Sequence, residues 1–420
     1  MEWLKVGSDI DGQAAGDKFG SSVALNQDGT IMAVGAPTGQ GYVSVYQKVS
    51  GVWTLMGSDI NGEAADDNSG YSVSLSADGY TLAIGAVGND GNGSSNAGHV
   101  RIYGFSNGGW SQLGSDINGE AAGDSSGYSV SLSADGLTVA IGAIYNGSSD
   151  AGHVRIYEFS GGAWSQLGSD INGEAAGDQS GFSVSLSADG LTVAIGAPYN
   201  SNNAGHVRIY KFSSGTWSQV GQDIDGQVTW TDSGWSVSLS ADGSMVAIGE
   251  PKAALPEKYS AGTVRVYQFL NNAWSPLGDF IPGTAVWEQS GTSLCLRYDT
   301  TMAAPILAIG SIAIGYDTTA GNVRVFKYSS TNGWVKIGET IEGETGKDKF
   351  GSALSLSADG LTVAIGAPFN DGTTGTNTDN RGSVRVYEFV NTLPPPTHKT
   401  EISLAQLNGV WQLKANTTPI

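Results

Sequence analysis

Cysteine is almost missing from this chain. Cys295 is the single copy, so no internal disulfide framework can form. Charge is sparse too, at 14% of residues, and it runs one way: 40 acidic against 20 basic residues give a net charge of −20. A surface of that sign repels phosphate backbones, so no nucleic-acid partner is expected. Cations, cationic groups and neutral sugars remain as partners. No apolar run is long enough to span a bilayer, and membrane insertion is not expected. The opening residues Met-Glu-Trp-Leu-Lys-Val lack an apolar segment of signal-peptide length. The sequence also lacks HExxH, GxSxG, a Cys/His cluster and Arg-Gly-Asp, and Gly343–Lys347 does not have phosphate-loop spacing. Read this way, the chain is not expected to be an enzyme.

Glycine, by contrast, is abundant. It accounts for 62 of 420 residues, about double the usual share of roughly 7%. Short strands separated by glycine-rich turns mark an all-β protein. A Trp-x-x-x-Gly element recurs at Trp3, Trp53, Trp110, Trp164, Trp217, Trp274 and Trp334. Between copies runs the same series, seen from Trp110 onward. Residues 110–117 read as a strand, and residues 128–133 (YSVSLS) alternate with period 2. Ala134-Asp135-Gly136 is a tight turn, residues 137–143 (LTVAIGA) form a buried strand, and residues 153–159 (HVRIYEF) form the last. Four strands in a period of roughly 40 to 50 residues is propeller arithmetic. Seven copies predict a seven-bladed β-propeller of four-stranded antiparallel blades over residues 1–390. The N-terminal strand at Trp3 closes the ring by pairing with residues 383–389. Residues 391–420, opening on Pro394-Pro395-Pro396, read as a linker with a tail or the start of a further domain.

Phe19-Gly20 with Gly35-Ala36-Pro37, and Phe350-Gly351 with Gly366-Ala367-Pro368, resemble the FG-GAP repeat of the integrin α-subunit propeller. Gly196-Ala197-Pro198 keeps half of the pattern. The resemblance covers nearly the whole chain and implies the propeller fold. It also implies an Asp-rich calcium loop between the first two strands of several blades, but here that turn is only Ser133–Gly136. The family's calcium site therefore does not carry over.

Strand order puts two short hairpin turns of each blade on one face and two long, variable loops on the other. Function is expected on the long-loop face. That face repeats an acidic series at relative positions 1, 3, 5 and 9: Asp116, Asn118, Glu120 and Asp124, then Asp170, Asn172, Glu174 and Asp178. The spacing imitates a calcium loop, although Ala121 stands where the sharp-turn glycine belongs. The other reading is that the last Asp caps backbone N–H groups at the crossing between blades. Calcium is the only ion this reading considers, and no other cofactor is expected.

Trp230 and Trp287 break the series by standing at the position of Gly123. With Trp235, Lys252, Lys258 and Tyr259 they make the candidate ligand site, as aromatic planes suited to sugar rings or apolar side chains. His99, His153 and His206 occupy one equivalent position in successive blades, too far apart to share a metal, and read as strand-surface residues. The function these features suggest is a non-catalytic recognition or adhesion module that is extracellular or surface-displayed, part of a larger assembly, and binds glycan or protein. The alternatives are an architectural spacer or a propeller-type carbohydrate-active enzyme.

Overall fold

The computed structural model describes residues 2–390, apart from 148, 300–303, 314–319 and 373–378, and the strands His398–Leu407 and Val410–Pro419. Seven antiparallel sheets form the seven blades expected from the repeat. In blade 3 the inner strand is Ser126–Leu132, the second Thr138–Ala143, the third His153–Ser160 and the outer Ala163–Gln166. The outer strand is shorter than the sequence suggests. It leaves the sheet after Gln166 and rejoins the third strand at Ile171–Asn172.

The Trp-x-x-x-Gly element explains that interruption. Gly114 takes φ +73°, and a Cβ there would lie 2.9 Å from the Trp164 ring of the next blade. The glycine therefore opens the seat that the neighbouring tryptophan fills. Trp164 Nε1 donates to the Leu113 carbonyl at 2.8 Å, and Trp110, Trp217, Trp274 and Trp334 repeat the bond to Met56, Leu167, Val220 and Leu277. The outer strands that carry these tryptophans are thus pinned to the blade before them, whereas the Trp53 indole N–H of blade 1 has no such partner.

Nearer the axis, the blades approach until only glycine fits. A Cβ on Gly142 would meet the Gly181 carbonyl at 2.1 Å. The inner-strand serine beside it, Ser129, donates to that same carbonyl at 2.7 Å. Seven small apolar cores lie between the blades. Cys295 is buried in one of them, in the inner-strand position held by serine in most blades.

The ring is closed by the N-terminal strand. Trp3 pairs with Phe389 and Lys5 with Tyr387, and Trp3 Nε1 reaches back to the Ile337 carbonyl at 3.2 Å. His398–Leu407 and Val410–Pro419, which include Trp411, pair with each other in a separate two-stranded sheet.

Candidate functional site

The third strand of each blade begins deep between two neighbours. In blades 2, 3 and 4 its first residue is His99, His153 or His206, only 1% exposed in each case. The strand pairing that buries the imidazole also brings two carboxylates over it. One follows the outer strand of the same blade, and the other comes from the loop entering that blade. The resulting groups are Glu63, His99 and Asp116; Glu120, His153 and Asp170; and Glu174, His206 and Asp223, each with donor atoms within 4.8 Å of one another.

The acidic series is therefore divided between blades instead of converging on one loop ion. Position 1 (Asp116, Asp170) meets position 5 of the preceding repeat (Glu63, Glu120), and Glu174 meets Asp223 in the same way. Position 9 has another task. Asp124 is buried and accepts from the Ala121 N–H at 2.8 Å, the Glu120 N–H at 3.2 Å and Asn146 Nδ2 at 3.0 Å. Asp178 accepts from the Ala175 N–H at 2.8 Å and from Asn200 Nδ2 at 3.2 Å. Both carboxylates close their own loop, as the capping reading has it. Position 3 offers its backbone: the carbonyls of Asn118 and Asn172 accept from Arg155 and Arg208 at 2.7 Å. Sequence spacing could not show this pairing, because the partners sit one whole repeat apart.

Burial favours the neutral form of all three histidines. Burial pushes the His99 imidazole down to about 4; the Arg101 guanidinium adds to the effect, while Asp116 and Asp67 oppose it. Burial lowers His153 and His206 as well, reinforced by Arg155 and Arg208. Neither nitrogen of His99 or His153 has a hydrogen-bond partner, nor does Nε2 of His206.

Above the first of these groups opens a depression of about 580 Å³, lined by Glu63, Asp67, Asn89, Asp90, Asp116 and Asn118 among others. Its walls are the two long loops of one blade interface, as strand order requires. An imidazole and two carboxylates beneath an acidic hollow can hold a cation, order a water or move a proton at a polar substrate.

The structure divides the sequence-predicted aromatic set. Trp230 and Trp287 stand out from the long-loop face, 64% and 45% exposed, with φ of +66° and +61°. Left-handed backbone is rare for so bulky a side chain, and both residues inherit it from the glycine position of the repeat. The loop carrying Lys252 and Tyr259 touches both neighbours. The Lys252 N–H donates to the Thr231 carbonyl, and the Trp287 N–H to the Tyr259 carbonyl at 2.8 Å. Tyr259 is the most exposed of these residues at 71%, and Lys258 is half-buried. The ammonium of Lys252 is occupied by the buried Asp232 carboxylate at 2.8 Å. Trp235 lies at the end of its loop, directly before the inner strand Ser236–Leu239. Its ring packs on Phe182 at 4.6 Å, continuing a row that runs Tyr71, Tyr128, Phe182, Trp235 across the inner strands.

No family model matches this sequence, and no curated protein matches it. Among solved structures, the chain is similar to a protein of Bacteroides uniformis ATCC 8492 provisionally named 6-phosphogluconolactonase. The TM-score is 0.52 at 11% identity, over 78% of this chain and 87% of that one. The likeness is one of fold. It nevertheless overturns two expectations from sequence. A propeller of this architecture bears an enzyme's name, so the lack of familiar catalytic motifs does not make the chain a non-enzyme, and nothing found supports adhesion. The physical reason is that side chains brought together across a blade interface leave no contiguous motif to read.

Proposed function

We propose that the chain is a propeller-type carbohydrate-active enzyme, a hydrolase working on the long-loop face at the interface of the first two blades. The observation that carries this reading is the convergence of Glu63, His99 and Asp116 within 4.8 Å at the acidic depression. Carboxylates flanking a sugar bond at roughly 5–5.5 Å act as acid and nucleophile, and wider pairs leave room for a water between them. His99, held neutral by burial, lies beneath the pair with Nδ1 3.9 Å from Glu63 Oε2 and leaves the carboxylates to carry the proton transfer. Arg101 Nη1 lies 3.7 Å from Glu63 Oε1 and holds the carboxylate in place.

The name of the similar structure denotes a phosphorylated sugar lactone as substrate. In this chain the lining of Glu63, Asp67, Asp90 and Asp116 would repel a phosphate. The substrate class proposed is therefore a neutral or cationic sugar derivative. Trp230, Tyr259 and Trp287 are proposed as accessory planes for sugar rings on the same face, since their exposure leaves the ring surfaces open. Membership of the FG-GAP repeat type is proposed as well. In support, Gly20 donates to the Gly35 carbonyl at 3.0 Å, joining the two halves of the motif.

The test is hydrolysis by the full chain of a panel of neutral aldonolactones, aryl glycosides and phosphorylated sugar lactones. Turnover of a neutral member with none of the phosphorylated ones is expected. Absence of turnover across the panel overturns the catalytic reading, and preference for the phosphorylated lactones overturns the charge argument.

A further inference from the structure

We infer that the three groups Glu63–His99–Asp116, Glu120–His153–Asp170 and Glu174–His206–Asp223 each hold one divalent transition-metal ion, zinc foremost, that staples two adjacent blades together. The inference goes beyond the catalytic reading. It coincides with it only at the first group and stands alone at the other two.

Distance is the first argument. The gap from His Nδ1 to the Glu Oε2 facing it is 3.9, 3.8 and 3.7 Å in the three groups, and Asp170 Oδ2 lies 4.0 Å from His153 Nδ1. A hydrogen bond would need about 3.2 Å or less. Two ligands at about 2.0–2.2 Å from one tetrahedral zinc stand about 3.3–3.6 Å apart. The histidine–carboxylate gaps are a few tenths of an ångström wider than that and the whole group spans up to 4.8 Å, so the half-exposed glutamates must rotate inward to bind.

Unmet valence is the second. His99 and His153 are buried with Nδ1 directed at carboxylate oxygens, and that nitrogen has no hydrogen-bond partner. Such a group is costly unless something satisfies it.

The third argument is how the carboxylates are held. Each spends one oxygen on a positioning neighbour and turns the other inward. Gln112, Gln166 and Gln219 donate to Oδ1 of Asp116, Asp170 and Asp223 at 2.6, 2.6 and 2.5 Å. Arg101, Arg155 and Arg208 lie beside Oε1 of the three glutamates at 3.7, 3.7 and 3.5 Å. Outer partners of this kind orient metal ligands.

The other four blades supply an internal comparison. Blade 7 keeps both carboxylates, Glu344 and Asp9, but has Ser383 in place of histidine. There Arg385 moves in and pairs with both, at 2.5 and 3.3 Å. In blade 1, Tyr42 replaces histidine and Gln13 replaces the glutamate, and the Gln13 amide donates to Asp59 at 2.8 Å. Blades 5 and 6 have Gln227, Thr263 and Phe280, and Thr284, Asn322 and Thr340, at the three positions. At the first residue of the third strand, histidine stands only where both carboxylates are present, and where both are present without it a guanidinium supplies the positive charge. One imidazole and two carboxylates suit zinc, cobalt, nickel or manganese better than calcium, which prefers six to eight oxygens.

The experiment is a titration of the chelator-stripped full chain with zinc chloride in excess calcium, with bound metal counted by elemental analysis. Three ions per chain are expected. Glu120→Gln and Glu174→Gln, both on half-exposed side chains and so compatible with folding, should each lower the count by one. Turnover at the first group should be unchanged in both variants, so failure of the catalytic reading and failure of the metal reading give different results. No saturable zinc binding, or three ions retained in both variants, would overturn the inference; the second result would place the ions elsewhere on the acidic surface.

Discussion

At the scale of single residues, the long-loop face is built on one device: an acidic side chain that folds back to close its own loop. Glu288 shows it under substitution. It stands where Asp124 stands in the template, and its longer carboxylate still accepts from the N–H of Thr284 and, at 2.8 Å, of Ala285. Burial alone would raise its pKa. The Arg324 guanidinium and the Thr284 and Ala285 bonds outweigh burial and hold it below the usual 4.5. A depressed folded-state pKa contributes stability above about pH 4.5 that is lost as pH falls through the folded value. Glu288→Gln should cost about 1–3 kcal/mol near neutrality, and the loss should shrink below pH 4.5 in denaturant titrations. A loss independent of pH would contradict the assignment. Trp230 makes the complementary case, because its backbone is left-handed and its ring is largely exposed. Trp230→Gly should raise the unfolding free energy by about 1 kcal/mol, while a loss of similar size would show that the ring packs against the loop.

At the scale of elements, the strands were legible and the joints between them were not. Period-2 alternation and the recurring Trp-x-x-x-Gly located all seven blades, because each strand carries its own burial pattern in consecutive residues. The break in the outer strand was not legible: Gly168 looks like any turn glycine until Trp217 of the next blade is seen to fill the space above it. The Glu–His–Asp groups were hidden for a related reason. Histidine reads as a strand-surface residue because its equivalents in other blades are remote, yet each imidazole is buried, because its carboxylate partners come from the loop entering its blade and from the end of that blade. The N-terminal strand is the element on which closure depends. Deleting residues 2–11 removes the outer strand of blade 7 and uncovers the edge of Ser383–Val390. An exposed edge of that length favours aggregation. The truncated protein should lose its single cooperative thermal transition and associate, whereas deletion of residues 391–420 should leave the transition in place. The reverse result would assign closure to the C-terminal segment.

At the scale of the whole molecule, seven similar blades present seven similar interfaces, and function must arise from the differences between them. Three successive interfaces carry buried histidine beneath paired carboxylates, and one of these opens into the wide acidic depression. Farther round the ring the acidic series gives way to exposed tryptophans. The propeller thus has one stretch suited to holding ions or moving protons and another suited to contact with flat rings. On the proposed function, the depression between blades 1 and 2 is the reacting site and its two equivalents are supports. The most direct measurement compares kcat/KM, on the best neutral sugar substrate, for Asp116→Asn and for the equivalent Asp170→Asn. A loss on the order of 100-fold or more is expected for Asp116→Asn and near-normal turnover for Asp170→Asn. Equal rates in the two variants would contradict it.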